Sequence, residues 1–300
     1  MLSFQPIQIE DKKRLEPYLR FRNFHMCEHS FVDLFIWRDT YDTRWCVEDD
    51  LLYLAQFNAG EPGRPIYFPP LGMGDIRTGV ERVRQDAEKR GAPLVFGAVP
   101  EEVKVQWETL FPGRFSYEER RNGADYVYLA ERLITLQGKK LHAKRNFINR
   151  FKAAYPGRWR YEAMRPDQVE EVMAYHQHWC ALNHAENDPS FRQETRAIVH
   201  ALLNFEALGL SGGILWLDEK IIAFTLGAQS AEDMFVIQIE KADHTVPGAY
   251  PMINQQFAAH VCTGVQYINR EDDLGLEGLR KAKLSYDPVF LTKKYRVVAV

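Results

Sequence analysis

The stretch from Asp233 to Pro288 constrains the fold most. DMFVIQIEKA reads as a strand, because Phe235, Ile237 and Ile239 alternate with Val236, Gln238 and Glu240. AYPMINQQFAAHVCTG carries Ile253, Phe257 and Val261 every four residues, tolerates Pro251 in a first turn and stops at Gly264, which predicts a helix. VQYINRED reads as a second strand. Strand, helix and strand within about forty residues make a right-handed crossover, so the two strands are parallel and their carboxyl ends lie side by side. Glu240 therefore falls near Asn269, Arg270, Glu271 and Asp272, at the strand ends where open α/β sheets hold ligands.

At 300 residues, 46% apolar and 26% charged, the chain can bury a large core and is long enough for two domains. It holds no uninterrupted apolar run of the roughly eighteen residues that a membrane helix needs. MLSFQPIQIEDKKR has neither the apolar stretch nor the cleavage site of a secretory signal, so a soluble cytoplasmic protein is expected. Cys27, Cys46, Cys180 and Cys262 are scattered without a CxxC pair, against a disulfide framework or a structural zinc. A net charge of -3 excludes a global attraction to nucleic acid or anionic lipid.

The element order repeats at about 150 residues, the signature of tandem units. LSFQPIQI predicts a strand and EDKKRLEPYLRFRNF a helical region. WCVEDDLLYLAQF reads as a hairpin turning at Glu48, Asp49 and Asp50, PIYFPPLG and APLVFGAVP as strands around the helix of GDIRTGVERVRQDAEKRG. In the second half RWRYEAM is a strand, PDQVEEVMAYHQHWCAL a helix, and GGILWLDEKIIAFTLGAQ a hairpin turning at Asp218 and Glu219, ahead of the strand that ends at Glu240. GKKLHAKRNFINRFKAAYPG is the helix between the copies. This predicts an α+β chain with mixed sheets, divided into 1–136 and 137–300, the first half structural and the second carrying the site.

Three strings, GKKLHAKRNFINRF, IEKADHTVPGAYPMINQQFA and YINREDDLGLEGLRKAKLSYDPVFLTKKY, resemble the family that shares the C-terminal domain of phosphatidylglycerol lysyltransferase (DUF2156). The resemblance implies two tandem GCN5-related N-acetyltransferase-like domains, related to the Fem-type aminoacyltransferases. It implies transfer of an acyl or aminoacyl group to an amine or hydroxyl on a small molecule, a peptide or a lipid headgroup. No cofactor is bound permanently, and the donor is acyl-CoA or an aminoacyl-tRNA, with tRNA then a partner. An acetyl-CoA-dependent N-acetyltransferase and a non-catalytic binding module stay open beside it. Acetyltransferases of this fold seat a pyrophosphate on backbone N–H groups at a glycine-rich helix start; HTVPGA offers only Gly248, beside Pro247.

Glu240 is the candidate general base, or else an ion-pair partner of Lys241, Lys283 or Arg280. Asn254, Asn269 and Tyr250 can position substrate or donate to an oxyanion, and can equally be caps. Tyr286 is a candidate acid by similarity, or an aromatic packed under the last hairpin. Glu271, Arg280 and Lys283 complete a polar cluster around these strand ends. Between Gly138 and Tyr161 eight cations lie with no acid among them, Lys144 and Arg145 included. With Asn149 they can track phosphates or form a solvated helix face. Phe147, Phe151 and Tyr155, four apart, suit a buried stripe. His176, Cys180 and His184 share a helical spacing but lack the glutamate of a zinc motif, and no metal is assigned.

Overall fold

The computed structural model describes residues 1–60, 63–183 and 189–300. Among them the strands run β1 (Gln5–Pro6), β2 (Thr43–Glu48), β3 (Leu51–Gln56), β4 (Ile66–Tyr67), β5 (Leu71–Gly72), β6 (Val95–Pro100), β7 (Phe115–Glu119) and β8 (Asp125–Leu129). They continue as β9 (Trp159–Ala163), β10 (Ser211–Leu217), β11 (Lys220–Ala231), β12 (Met234–Ala242), β13 (Tyr267–Asn269), β14 (Phe290–Thr292) and β15 (Lys294–Ala299). The helices are α1 (Lys12–Leu19), α2 (Phe31–Ile36), α3 (Arg38–Tyr41), α4 (Ile76–Lys89), α5 (Glu101–Leu110) and α6 (Ala130–Thr135). After them come α7 (His142–Ala154), α8 (Val169–Leu182), α9 (Pro189–Leu203), α10 (Phe205–Leu208), α11 (Ala249–Val261) and α12 (Glu277–Leu284). None of these helices is long and apolar enough to cross a membrane.

The chain divides into two compact units, Met1–Asp125 with Thr292–Val300, and Tyr126–Leu291. The first sheet has the order β1-β2-β3-β4-β6-β15-β7, with β5 on β3; the second has the order β14-β8-β13-β12-β11-β10-β9. The expected division between 136 and 137 is thus displaced by an exchange of strands. β8 adds to the second sheet, where Leu129 pairs Tyr267, while β15 closes the first, with Tyr295 between Val99 and Glu119. Backbone pairing on both sides of β15 makes it a central strand of the first sheet despite its place at the end of the sequence.

Both hairpins turn where the sequence places them. Asp49 and Asp50, and Asp218 and Glu219, each have φ near +50°, the left-handed pair of a two-residue turn whose twist matches the flanking strands. The opening segment departs from expectation: only Gln5 and Pro6 pair, because Pro6 has no N–H to continue a ladder, and the helix after it is confined to Lys12–Leu19. PIYFPPLG contributes two short strands, β4 and β5, where one was expected.

In the first unit a lysine is buried among acids. The Lys294 ammonium lies 2.6 Å from Asp125 Oδ1, 2.6 Å from Glu28 Oε2 and 3.6 Å from Cys27 Sγ. The Cys27 N–H donates to Asp125 Oδ2 at 2.8 Å. Burial raises the pKa of Glu28 against the opposing pull of Lys294, and raises the Cys27 thiol. Cys27, Glu28 and Asp125 are also, among the described residues, a group of metal-type donors, but Lys294 supplies the positive charge at their centre.

In the second unit α11 packs on the sheet with Met252, Ile253, Phe257 and Ala258 fully buried against Leu215, Ile237 and Phe235. Burying Phe257 alone contributes on the order of 2–3 kcal/mol. The helix starts at Gly248, whose φ is +93° and where a Cβ would meet the Phe147 carbonyl oxygen of α7 at 2.9 Å and Phe151 Cβ at 3.0 Å. Gly248→Ala is therefore expected to lower stability by more than about 1 kcal/mol, since both backbone conformation and space exclude a methyl. A shift of the urea midpoint to lower concentration at unchanged slope checks it.

Candidate active site

β12 and β13 are parallel, as the strand, helix, strand pattern requires, but they pair only from Met234 with Tyr267 to Val236 with Asn269. β12 runs on beyond that pairing with β11 alone as its neighbour, and Glu240 sits in this unpaired half opposite Thr225. Across the opening the chain leaving β13 presents Arg270. The two side chains meet: Arg270 Nη2 lies 2.8 Å from Glu240 Oε1, with only 12% and 11% of the side chains exposed. Asn254, fully buried on the apolar face of α11, donates Nδ2 to Glu240 Oε2 at 2.9 Å. Both carboxylate oxygens of Glu240 are committed. The ion pair exists, with Arg270 as its partner; Lys241 pairs with Glu194, and Arg280 with Asp273.

An aromatic wall backs the guanidinium. Arg270 lies 4.8 Å from the Tyr286 ring centroid and 5.8 Å from that of Tyr128, and the Lys144 ammonium is 4.1 Å from the Tyr286 centroid. Burial works against the charge of Arg270, and Glu240 with Tyr128 and Tyr286 together more than offsets it, so its pKa is raised. Burial raises the Tyr286 phenol above its ordinary value, with Arg270 opposing, so this hydroxyl holds its proton. Lys144 is shifted the other way: burial first, then the charge of Arg270, lower its pKa, with Glu240 opposing.

Two buried atoms here have no partner among the described residues, Arg270 Nη1 and Asn254 Oδ1. One is a donor and the other an acceptor, and a buried polar group left unmatched costs about 1–3 kcal/mol. The orientation of Asn254 is fixed by its neighbour, since a flipped amide would turn its oxygen toward the carboxylate of Glu240.

The remaining expected residues build the frame. Asn269 is buried and its Oδ1 accepts the Glu271 N–H at 2.7 Å, holding Glu271 at φ +57°, while Tyr126 N–H donates to the Glu271 carbonyl at 3.0 Å. Lys283 donates to the carbonyls of Arg270 and Asp272. Arg280 binds Asp273 through Nε at 2.7 Å and Nη2 at 2.9 Å, and the Tyr126 hydroxyl donates to the same carboxylate at 2.5 Å. These contacts shape the turn that carries Arg270. Arg145 donates to the carbonyls of Leu136 and Gly138, where α6 ends, and Asn149 is exposed on α7. Tyr250 lies against Ala242 and Trp179. Gly248 is covered by the backbone of α7.

The start of α11 has few N–H groups to offer. Pro247 and Pro251 have none, and the Ala249 N–H donates to the Val246 carbonyl at 3.1 Å. In the His176, Cys180 and His184 stripe, to which no metal is assigned, His176 Nε2 lies 3.2 Å from Thr195 Oγ1 and 3.6 Å from Cys180 Sγ; His184 lies outside the described residues. Arg270 was placed beside Glu240 by the strand, helix, strand pattern, though without a role. Tyr128 and Asp273 had no signal, since one arrives on the exchanged strand β8 and the other in a turn.

The profile of the family described as phosphatidylglycerol lysyltransferase, C-terminal, matches residues 19–298. A solved structure of a conserved protein from Bacteroides thetaiotaomicron is 40% identical, covers 100% of both chains and superposes with a TM-score of 0.95. The structure of L-PGS from Bacillus licheniformis is 17% identical over 96% of this chain and 91% of that one, with a TM-score of 0.64. An uncharacterised protein of Mycoplasmoides gallisepticum is 28% identical over 183 residues, 60% of this chain and 57% of the relative, so the match spans little more than half of that relative. The fold is that of the GCN5-related N-acetyltransferases, twice in tandem.

Proposed function

Since the chain belongs to the phosphatidylglycerol lysyltransferase C-terminal family, we propose that its second unit transfers an acyl group, delivered as an aminoacyl ester of tRNA, to an amine or hydroxyl acceptor. The observation that carries the reading is the buried Arg270, fixed by Glu240, backed by Tyr286 and flanked by Lys144, with Nη1 left to donate.

Each group then has a part. The acceptor attacks the ester carbonyl carbon, and the negative charge that grows on the carbonyl oxygen falls on Arg270 Nη1. The acceptor's proton passes to Lys144, whose lowered pKa provides a neutral amine more readily than an exposed lysine does. The bond from the carbonyl carbon to the ribose oxygen breaks, and that oxygen takes the proton of Tyr286. Lys144, beside the Tyr286 ring, returns a proton to the phenolate and resets both groups. Glu240 acts as a positioning residue, since its two oxygens orient Arg270 and Asn254. This replaces the base role expected for it.

Two observations favour aminoacyl-tRNA over acyl-CoA as donor. The start of α11, where a pyrophosphate would sit, has two prolines and the α7 backbone against Gly248. Lys139, Arg150 and Lys152 are exposed along α7 and its approach, a basic track on an otherwise acidic chain. Thermal stability with charged tRNA, uncharged tRNA, coenzyme A and acetyl-CoA tests the assignment, because a ligand of the native state raises stability by RT ln(1 + [L]/Kd). The expected result is a rise with charged tRNA that is lost when Lys139, Arg150 and Lys152 are changed to Glu. A rise with acetyl-CoA alone would reject the aminoacyl donor.

A further inference from the structure

We infer that Asn254 Oδ1 receives the α-amino group of the donor, which makes the site selective for α-aminoacyl over unsubstituted acyl groups; the inference rests on the acyl-transfer reading above. Asn254 is a fully buried polar residue on the helix face that otherwise carries Ile253 and Phe257. A buried amide in such a place needs its hydrogen bonds met. Its Nδ2 is spent on Glu240, and its Oδ1 has no partner among the described residues.

Arg270 Nη1 is the second unmatched atom, and it is bound through its own guanidinium to the same carboxylate. The site thus sets one free acceptor and one free donor on either side of Glu240. An α-aminoacyl group is complementary to that arrangement, because it carries a donor, the amino group, on the carbon next to an acceptor, the carbonyl. A plain acyl group has the acceptor only and leaves Asn254 Oδ1 unmatched, and sites built to bond a polar group reject analogues that lack it.

Access is through Lys144. Its half-buried side chain lies over the Tyr286 ring and near Arg270, and a four-carbon stem can move aside as the acyl group enters.

The probes are 3′-deoxy-3′-(alanylamino)adenosine, an amide that resists transfer, and its propionyl counterpart, which lacks only the α-amino group. Binding to the intact protein is measured by calorimetry. The expected result is at least tenfold tighter binding of the alanyl probe by the wild type, and equal binding of the two probes by Asn254→Leu. Equal binding by the wild type overturns the inference whether or not the variant folds, and leaves the acyl-transfer reading standing. A preference that survives in Asn254→Leu overturns the assignment to this residue. Binding of neither probe, with a positive response to acetyl-CoA, overturns the aminoacyl reading and this inference with it.

Discussion

Lys294→Met is expected to lower the stability of the first unit by about 3–5 kcal/mol at neutral pH, the cost of removing one partner from a buried ion pair. The Lys294 side chain is 3% exposed and that of Asp125 fully buried, so water cannot take over the role of the ammonium. Without it Asp125 and Glu28 face each other as carboxylates in a site already desolvated enough to raise the pKa of Glu28. The sign of the pH dependence follows. A carboxyl whose folded pKa lies above its unfolded value, near 4.3 for Glu, binds its proton more tightly when folded, so stability falls as pH rises from that value through the folded pKa. Loss of Lys294 raises the folded pKa further and deepens that fall. Urea midpoints of wild type and variant should therefore differ most at pH 7 and converge toward pH 4.5. Asp125→Asn in the Lys294→Met background should recover part of the loss, because one of the two charges is gone. A difference between wild type and variant that does not depend on pH would mean that packing of the lysine stem, and not its charge, holds this site.

The parts of the fold that were legible in the sequence are those with a local cause. The alternation in DMFVIQIEKA, the four-residue period of α11 and the acidic pairs at the two hairpin turns each fix a backbone state within a few residues. Strand exchange has no such signature. β8 and β15 look like any short strand, and their neighbours in the sheets are chosen by residues more than a hundred positions away. The α7 stripe shows the limit of periodicity: Phe151 is 1% exposed, while Phe147 is 45% exposed. A step of four residues drifts by about 40° on a helix of 3.6 residues per turn, and the buried face of α7 is set by Ile148 with Phe151, which leaves Phe147 at its margin. The site was legible as a place and not as a set of bonds. Sheet topology put Glu240 beside Arg270, but Lys241, Arg280 and Lys283 were equally plausible partners until the turn held by Asn269, Lys283 and Asp273 decided which cation reached across.

Arg270→Ala is expected to reduce kcat by about 10²–10³, the loss found when a single oxyanion donor is removed, with a smaller effect on the KM of the donor. The contrast matters because the interaction of Nη1 with the carbonyl oxygen strengthens as charge develops. Arg270→Lys should be nearly as poor. A lysine can meet the carboxylate of Glu240 or reach the carbonyl oxygen, but a point charge cannot hold both in the fixed fork that a guanidinium provides. Arg270→Ala also leaves Glu240 as an uncompensated buried charge, so its loss of turnover has to be separated from damaged folding. The pair Arg270→Met with Glu240→Leu removes both charges at once and is expected to recover stability to within about 1–3 kcal/mol of the wild type, the cost of leaving the buried Asn254 Nδ2 without its acceptor. It should remain without transfer activity. Recovery of activity together with stability in that double variant would make Arg270 a structural residue, and the search for the oxyanion donor would move to Lys144.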